Sequence, residues 1–397
     1  MTTRRILAVN GGSSSLKFGL FAVSADAEKA LWMGAIEGIG AASARWWCQS
    51  GYGERTEGQG PVADAEAAVH RLVALLAAAS SEPPDAIGHR LVTGGPELSL
   101  PVLIDDTVRL RLNRAVPYAP LHLPYGLAVI DALVRQFPTR PHVACFDTTF
   151  HRTLPERAWR LPLPRSLAAQ GIRRYGFHGL SYESIVDQLK PDLPPRLVIA
   201  HLGSGCSVAA VYHGVSVDTT MGLTPTGGVV MATRPGDLDP GVLLFLLQQG
   251  GYGLTRLEAL LNHESGLYGL SGITGDMAAL LAQRQAYEPA QQAVASFVYS
   301  VQKAIAAMTV ALGGFDTLVF TGGIGEHAPA VRQAVAEGLA HLGVELDDTA
   351  NRLGGPVLSA RSSRVVVRVL PAQEERMIAR HAAAVLDAAR PESQSAH

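Results

Sequence analysis

Arg90 lies in GHRLVTGG (88–95), between a strand-like apolar run and a glycine pair. A guanidinium there is either a solvated charge or a planar fork suited to gripping a carboxylate or phosphate. Arg234 lies in MATRPGDLDPGVLL (231–244), a turn rich in proline and glycine, and Asp239–Pro240 behind it reads as a helix N-cap with its first-turn proline. His178 in GIRRYGFHGLSYESI (171–185) has glycines around it that let backbone approach a ligand, and Ser181 is the candidate cap of the helix that follows, with Ser184 beyond it. Asp147 ends the apolar run 142–146; it either caps the next helix or carries chemistry. Glu374 and Glu375 open a helix after Pro371, where they either complement the helix dipole or help hold Mg²⁺.

The elements that must position these groups begin with ILAVNGGSSSLKFGLF (6–21). Two extended runs flank a Gly-Gly-Ser-Ser-Ser tip, so the segment predicts a hairpin. Its glycines serve the turn alone, or Asn10, the serines and Lys17 make an anion cradle with the open backbone N–H groups. It is not a G-x-x-x-x-G-K-[ST] loop. RLVIAHLGSGCSVAAVYHGVSVDTT (196–220) repeats the plan: strand, Gly203–Ser204–Gly205 turn, strand, His-Gly turn, strand. Two such units half a chain apart predict a duplicated fold with one anion-gripping hairpin in each half. In FDTLVFTGGIGEHAPAVRQAVAEGL (315–339) a strand ends at Gly322, Gly323 and Gly325 and a helix starts near Ala328, the arrangement in which α/β proteins hold nucleotides.

The chain as a whole favours small-molecule chemistry. Its 397 residues, 47% hydrophobic, suffice for two domains, and a net charge of -2 with a pI near 6.7 carries no nucleic-acid footprint. Cys48, Cys145 and Cys206 lack metal-ligand spacing. Four apolar residues after Arg4–Arg5 are too few for a signal peptide, and no apolar run reads as a membrane span, so a cytoplasmic protein is expected. Segments 64–80 and 293–312 read as helices between strands, which predicts an α/β architecture. The second helix, apolar on several faces, reads as buried, and PESQSAH as a frayed tail.

Taken together, NGGSSSLK, GHRLVTGG, APLHLP, FDTTFH with RRYGFHG, HLGSG with VDTTMGLTPTGG, and FTGGIGE with PAQEERMIA resemble the acetate kinases over nearly the whole chain. The resemblance implies the two-domain, duplicated actin-like (ribonuclease H-like) fold with a nucleotide cleft between domains. It places 1–148 plus 372–397 in the first domain and 149–371 in the second. It implies reversible, Mg²⁺-dependent phosphoryl transfer from ATP to acetate, with Mn²⁺ as a substitute cation; propionate or butyrate as acceptor, or another phosphoryl donor, are the alternatives. Asn10 and Glu374 would organise the metal, and Ser13, Ser15 and Lys17 would line the phosphate path. Arg90 and Arg234 would bracket carboxylate and phosphoryl group, His178 would donate to the transition state, and Asp147 would position these groups or shuttle a proton. His201, Leu202, Gly203, Ser204 and Gly205 would contact the ATP phosphates. Asp276, Met277 and Ala278 with Gly323, Ile324, Gly325, Glu326 and His327 would form the adenosine pocket, and Val92, Leu121, Phe177 and Pro225 the acyl pocket. A homodimer is also implied. Ser204 and His327 stand where the family usually has Asn, Thr93 where it has His, Leu123 where it has Asn and Ala232 where it has Gly, which bears on donor preference.

Overall fold

The opening apolar run is a strand because its side chains alternate between two covered faces. In the computed structural model, which describes residues 3–12, 14–24, 27–51, 53–79 and 82–389, it is the centre of an eight-stranded sheet. The strands are β1 (Arg4–Gly11), β2 (Ser15–Val23), β3 (Glu28–Glu37), β4 (Ala44–Ser50), β5 (Arg55–Gly60), β6 (Ala86–Leu91), β7 (Val102–Leu103) and β8 (His142–Phe146), in the order β5-β4-β3-β2-β1-β6-β8-β7. Leu7 and Val9 join Ile87 in the core beneath the helices Ala65–Ala79 and Leu123–Gln136. The alternate residues Ile6 and Ala8 face the helix Glu374–Ala388, which packs on β1, β2, β6 and β8. Each fully buried aliphatic side chain of this kind stabilises the unit by roughly 1.5–3 kcal/mol.

The second sheet holds β9 (Arg196–Leu202), β10 (Cys206–Tyr212), β11 (Val215–Thr219), β12 (Thr317–Thr321) and β13 (Val366–Val369), in the order β11-β10-β9-β12-β13. Here β9 pairs antiparallel with β10 and parallel with β12, and β12 pairs parallel with β13. The first sheet repeats this: β1 is antiparallel to β2 and parallel to β6, which is parallel to β8. The run β3-β2-β1-β6-β8 therefore matches β11-β10-β9-β12-β13 strand for strand, and the fold is the duplicated actin-like, ribonuclease H-like α/β fold. The chain divides into two units, one running to Thr149 and resuming at Gln373, the other spanning Phe150–Ala372.

Three local expectations need correction. Ser181 does not cap its helix. The helix is Gly179–Leu189, His178 occupies the cap position, and Ser181 lies inside the first turn with its hydroxyl on His201. The helix expected from near Ala328 is present as Pro329–Gly338, with Pro329 in its first turn, but the glycine-rich segment before it, expected as a turn at the strand end, is itself helical, Gly322–His327. The helix expected over 293–312 runs over Glu288–Leu312 and is buried along one stripe, from Ala290 through Phe297, Val301 and Ile305 to Leu312, rather than on several faces. Tyr299 and Val310 lie exposed opposite. By length and composition alone this helix would qualify as a membrane span; its buried stripe packs instead on β9, β10 and the helix Gly266–Ser271. The C-terminal PESQSAH lies outside the described residues.

Candidate active site

In the first unit, strand register brings the polar groups together. Asn10 is the partner of Arg90 across β1 and β6, Arg90 is the partner of Cys145 across β6 and β8, and Asp147 follows the end of β8. Arg90 Nε donates to Asp147 Oδ1 and Oδ2 at 3.2 and 3.1 Å, and Nη2 donates to Oδ2 at 2.5 Å. Asp147 is fully buried and is the counter-charge of Arg90. Burial alone would depress the guanidinium's pKa, but Asp147, with Glu374 and Glu375 nearby, leaves it raised.

The remaining valences of Arg90 and Asn10 link this pair to the acidic turn. Arg90 Nη1 donates to Asn10 Oδ1 (3.1 Å), and Asn10 Nδ2 donates to Glu374 Oε2 (2.7 Å) and Glu375 Oε1 (2.9 Å). Burial and the neighbouring Glu374 raise the pKa of Glu375, against the opposing pull of Lys17 and Asn10. Asn10 thus aims its amide nitrogen, not its oxygen, at the carboxylates. The donor set is two adjacent carboxylates, and no group of three or more acidic, histidine or cysteine side chains able to hold a metal ion occurs among the described residues. That fits Mg²⁺, a hard cation that takes one or two protein carboxylates and keeps its other positions for water and phosphate oxygen. Of the hairpin tip, Ser15 is half-buried at the start of β2, Lys17 is exposed, and Ser13 lies outside the described residues. Val92 is buried just past β6 and Leu121 half-buried before the helix Leu123–Gln136.

In the second unit a different set converges on the tip between β9 and β10, which is closed by Gly203 N–H donating to Gly205 O at 3.1 Å. A Cβ on Gly205 would stand 2.7 Å from Arg234 Nη2 and 3.2 Å from His178 Nε2, and one on Gly203 would stand 3.6 Å from His201 Nε2. A glycine at 205 is therefore what lets the guanidinium and the imidazole close on the turn. His178 and His201 stack with centroids 4.2 Å apart, and their Nδ1 atoms sit 2.8 Å from Ser207 Oγ and Ser181 Oγ respectively. His178 adopts φ +59°, a left-handed conformation rare for a side-chain-bearing residue and a mark of a site held by its surroundings. Arg234 Nη1 donates to Pro225 O at 2.5 Å. With a carbonyl there rather than a carboxylate, Arg234 keeps positive charge to offer an anion, whereas Arg90 is already compensated. Phe177 and Pro225 are buried, and Phe177 O lies 3.0 Å from His151 Nε2. Leu202 is wholly in the core.

Beside the same tip is a cavity of about 320 Å³ lined by Gly203, Ser204, Ala232, Asp276, Met277, Ala278, Gly323, Ile324 and His327 among others. Asp276 caps the helix Met277–Gln283 by accepting from Ala278 N and Ala279 N. Gly325 is buried and Glu326 turns away from the lining; its Oε1 accepts from Gly322 N (3.0 Å) and Ala372 N (3.2 Å), so it braces the loop.

Sequence reasoning missed Arg332. It is 1% exposed and donates to Gly325 O, Glu326 O, Asn351 Oδ1 and Asn351 O, holding the carbonyls at the end of the Gly322–His327 turn. The signal was present: Arg332 falls on the apolar stripe of Val331, Val335 and Ala336. Ser207 and Tyr182, both fully buried behind His178, were missed because each reads as ordinary strand or helix sequence.

The acetokinase family model matches residues 5–380. An acetate kinase of Deinococcus deserti is 44% identical over 396 residues, covering 96% of this chain and 98% of the relative. Among solved structures, Porphyromonas gingivalis acetate kinase superposes with a TM-score of 0.83 at 34% identity, over 96% of this chain and all of that one. A propionate kinase from Francisella tularensis superposes with a TM-score of 0.86 at 32% identity, over 95% and 98%. The chain belongs to the acetokinase family, phosphotransferases whose acceptor is a carboxyl group.

Proposed function

We propose that the protein is an acetate kinase, catalysing reversible transfer of the γ-phosphoryl group of ATP to acetate. The observation that carries the reading is the meeting of Arg234 Nη2 and His178 Nε2 at the Gly203–Gly205 tip, beside a cavity of about 320 Å³. An acetate oxygen attacks the γ-phosphorus as the bond to the β-phosphate oxygen breaks, leaving acetyl phosphate and ADP. The nucleophile is already anionic, so no base is required, and catalysis consists of in-line alignment and neutralisation of phosphoryl charge. In the second unit, Arg234 and the His178 imidazole serve that neutralisation, with Gly203 to Gly205 and His201 along the phosphates. Met277, Ala278, Ile324 and His327 cover adenosine, with Asp276, Gly323, Gly325 and Glu326 shaping the walls. In the first unit, Arg90 receives the carboxylate, and Asp147, whose carboxylate accepts from Arg90, positions these groups or shuttles a proton. Ser15 and Lys17 serve the phosphates, as does Ser13 by its place in the motif. Val92, Leu121, Phe177 and Pro225 serve the acyl methyl.

Glu374, oriented by Asn10, would hold Mg²⁺ or Mn²⁺, and the cation when bound supplies positive charge to the phosphate oxygens. Propionate is the second reading, favoured by the likeness to the Francisella protein, because one methylene in an apolar pocket changes discrimination by only about 1–3 kcal/mol. We also infer a cytoplasmic homodimer. The helix Pro240–Gln248 (PGVLLFLLQ) buries none of its residues, and Leu244 and Phe245 are 57% and 62% exposed, an apolar face that a second copy would cover. The test is trapping of acyl phosphate as hydroxamate with Mg²⁺, ATP and, in parallel, acetate, propionate and butyrate. Acetate-dependent product is expected; folded, ATP-binding protein that yields none with any acid refutes the reading.

A further inference from the structure

The groups behind His178 determine which of its nitrogens carries hydrogen. Ser207 Oγ lies 2.8 Å from His178 Nδ1 on one side and 2.5 Å from Tyr182 OH on the other. Ser207 and Tyr182 are both fully buried, with Ser207 Oγ standing between the phenol and the imidazole. A phenol is the stronger donor and the weaker acceptor of the two hydroxyls, so the Tyr182 proton goes to Ser207 Oγ. The single Ser207 proton is then directed at His178 Nδ1, which must accept. A neutral imidazole that accepts at Nδ1 carries its hydrogen at Nε2, and Nε2 is the atom beside Gly205 and Arg234.

We propose that Ser207, backed by Tyr182, is a positioning residue that holds His178 as the Nε2–H tautomer, so that the ring offers the phosphoryl oxygens a fixed donor instead of a lone pair. With the chain reversed, Nδ1–H would point at Ser207 and a bare Nε2 would face the anion and repel it. Stacking on His201 supports the neutral form, because two imidazolium rings 4.2 Å apart would disfavour each other's charge. The same relation recurs one ring away, where Ser181 Oγ meets His201 Nδ1 and leaves His201 Nε2 toward Gly203. The inference deepens the kinase reading, because the role given to the Nε2 donor rests on it, while the tautomer itself is measured without turnover.

The experiment is two-bond ¹H–¹⁵N spectroscopy of the full chain labelled with ¹⁵N-histidine, with the His178 signals identified by their loss in His178→Asn. The expected result is a pyridine-type Nδ1 and a pyrrole-type Nε2 in the unaltered protein, and a mixture of tautomers in Ser207→Ala. Tyr182→Phe, which leaves the serine hydroxyl in place but frees its direction, shifts the ring part of the way. In the hydroxamate assay Ser207→Ala loses about fivefold to tenfold in kcat, the scale of one net hydrogen bond, with KM for ATP within about twofold. A protonated Nδ1 in the unaltered protein, or a His178 spectrum unmoved by both substitutions, overturns the proposal. Absence of acyl phosphate with the expected spectrum removes the kinase reading instead.

Discussion

Replacing Asp147 tests the first half of the site most directly. The carboxylate is wholly buried and receives three contacts from Arg90, whose side chain is only 14% exposed. Asp147→Ala strands that guanidinium, and breaking one side of a buried pair costs about 3–5 kcal/mol. Glu374 and Glu375 still face Arg90 and Asn10 Oδ1 still accepts from it, which puts the expected loss near the lower end, about 3 kcal/mol. Asp147→Asn keeps one acceptor oxygen but opposes an amide N–H₂ to the guanidinium, for about 2 kcal/mol. Trp32, Trp46 and Trp47 lie in the first unit and only Trp159 in the second, so tryptophan fluorescence follows the affected unit. At a urea dependence of about 3 kcal/mol per M, the alanine variant's midpoint falls by about 1 M. Arg90 released from its counter-charge samples other rotamers, and a loss of about 100-fold in kcat corresponds to about 2.7 kcal/mol of lost transition-state stabilisation. A midpoint shift below about 0.3 M together with near-normal kcat would show that the ion pair neither stabilises the unit nor aligns Arg90.

Further outcomes are expected. Gly205→Ala forces Arg234 and His178 away from the tip, so kcat falls at least about tenfold; unchanged turnover would separate these groups from the reaction. Glu375 has a folded pKa raised by burial and by Glu374, so its contribution to stability is complete below the unfolded value of 4.5 and is lost as pH rises through the folded value. Glu375→Gln accordingly raises the neutral-pH urea midpoint in the absence of divalent cation, and a lowered midpoint contradicts the assignment. His89 and His142, stacked and joined Nε2 to Nδ1 at 2.8 Å, both have pKa values lowered by burial. Their stabilisation is present above about 6.5 and lost as pH falls through the lowered values, so the His89→Gln/His142→Gln double variant should show a shallower acid loss of stability than the parent, and equal slopes exclude the pair. Phe245→Asp on the exposed apolar helix should convert a dimer to a monomer in analytical ultracentrifugation; an unchanged mass places the interface elsewhere.

The groups legible in the sequence were those whose spacing is local. Arg90, Asp147 and His178 announce themselves because glycines or strand ends stand beside them, and the two hairpins could be matched because each is one continuous segment. What could not be read was pairing across distance. That Arg90 and Asp147 neutralise each other follows from the parallel register of β1, β6 and β8, which no local pattern encodes. Ser181 was misread for the same reason: its local context is that of a cap, while its hydroxyl is taken by His201, twenty residues away and on another element. Arg332 escaped because an arginine in a helix is usually solvated, and only its place on an apolar stripe marks it as an interior clamp.

The return of the chain to its first unit at Gln373 has a consequence for how the protein is made. The helix Glu374–Ala388 covers β1, β2, β6 and β8 and delivers the two carboxylates that meet Asn10. While a ribosome is still translating, residues up to 149 therefore have one face of their sheet bare, with Ile6, Ala8 and Gly88 uncovered. Phe150–Ala372, by contrast, is drawn from one continuous stretch of chain. Vectorial synthesis thus leaves the first unit without its covering helix until the last segment is made. A nascent chain stalled before residue 374 would expose an apolar sheet face to chaperones and proteases.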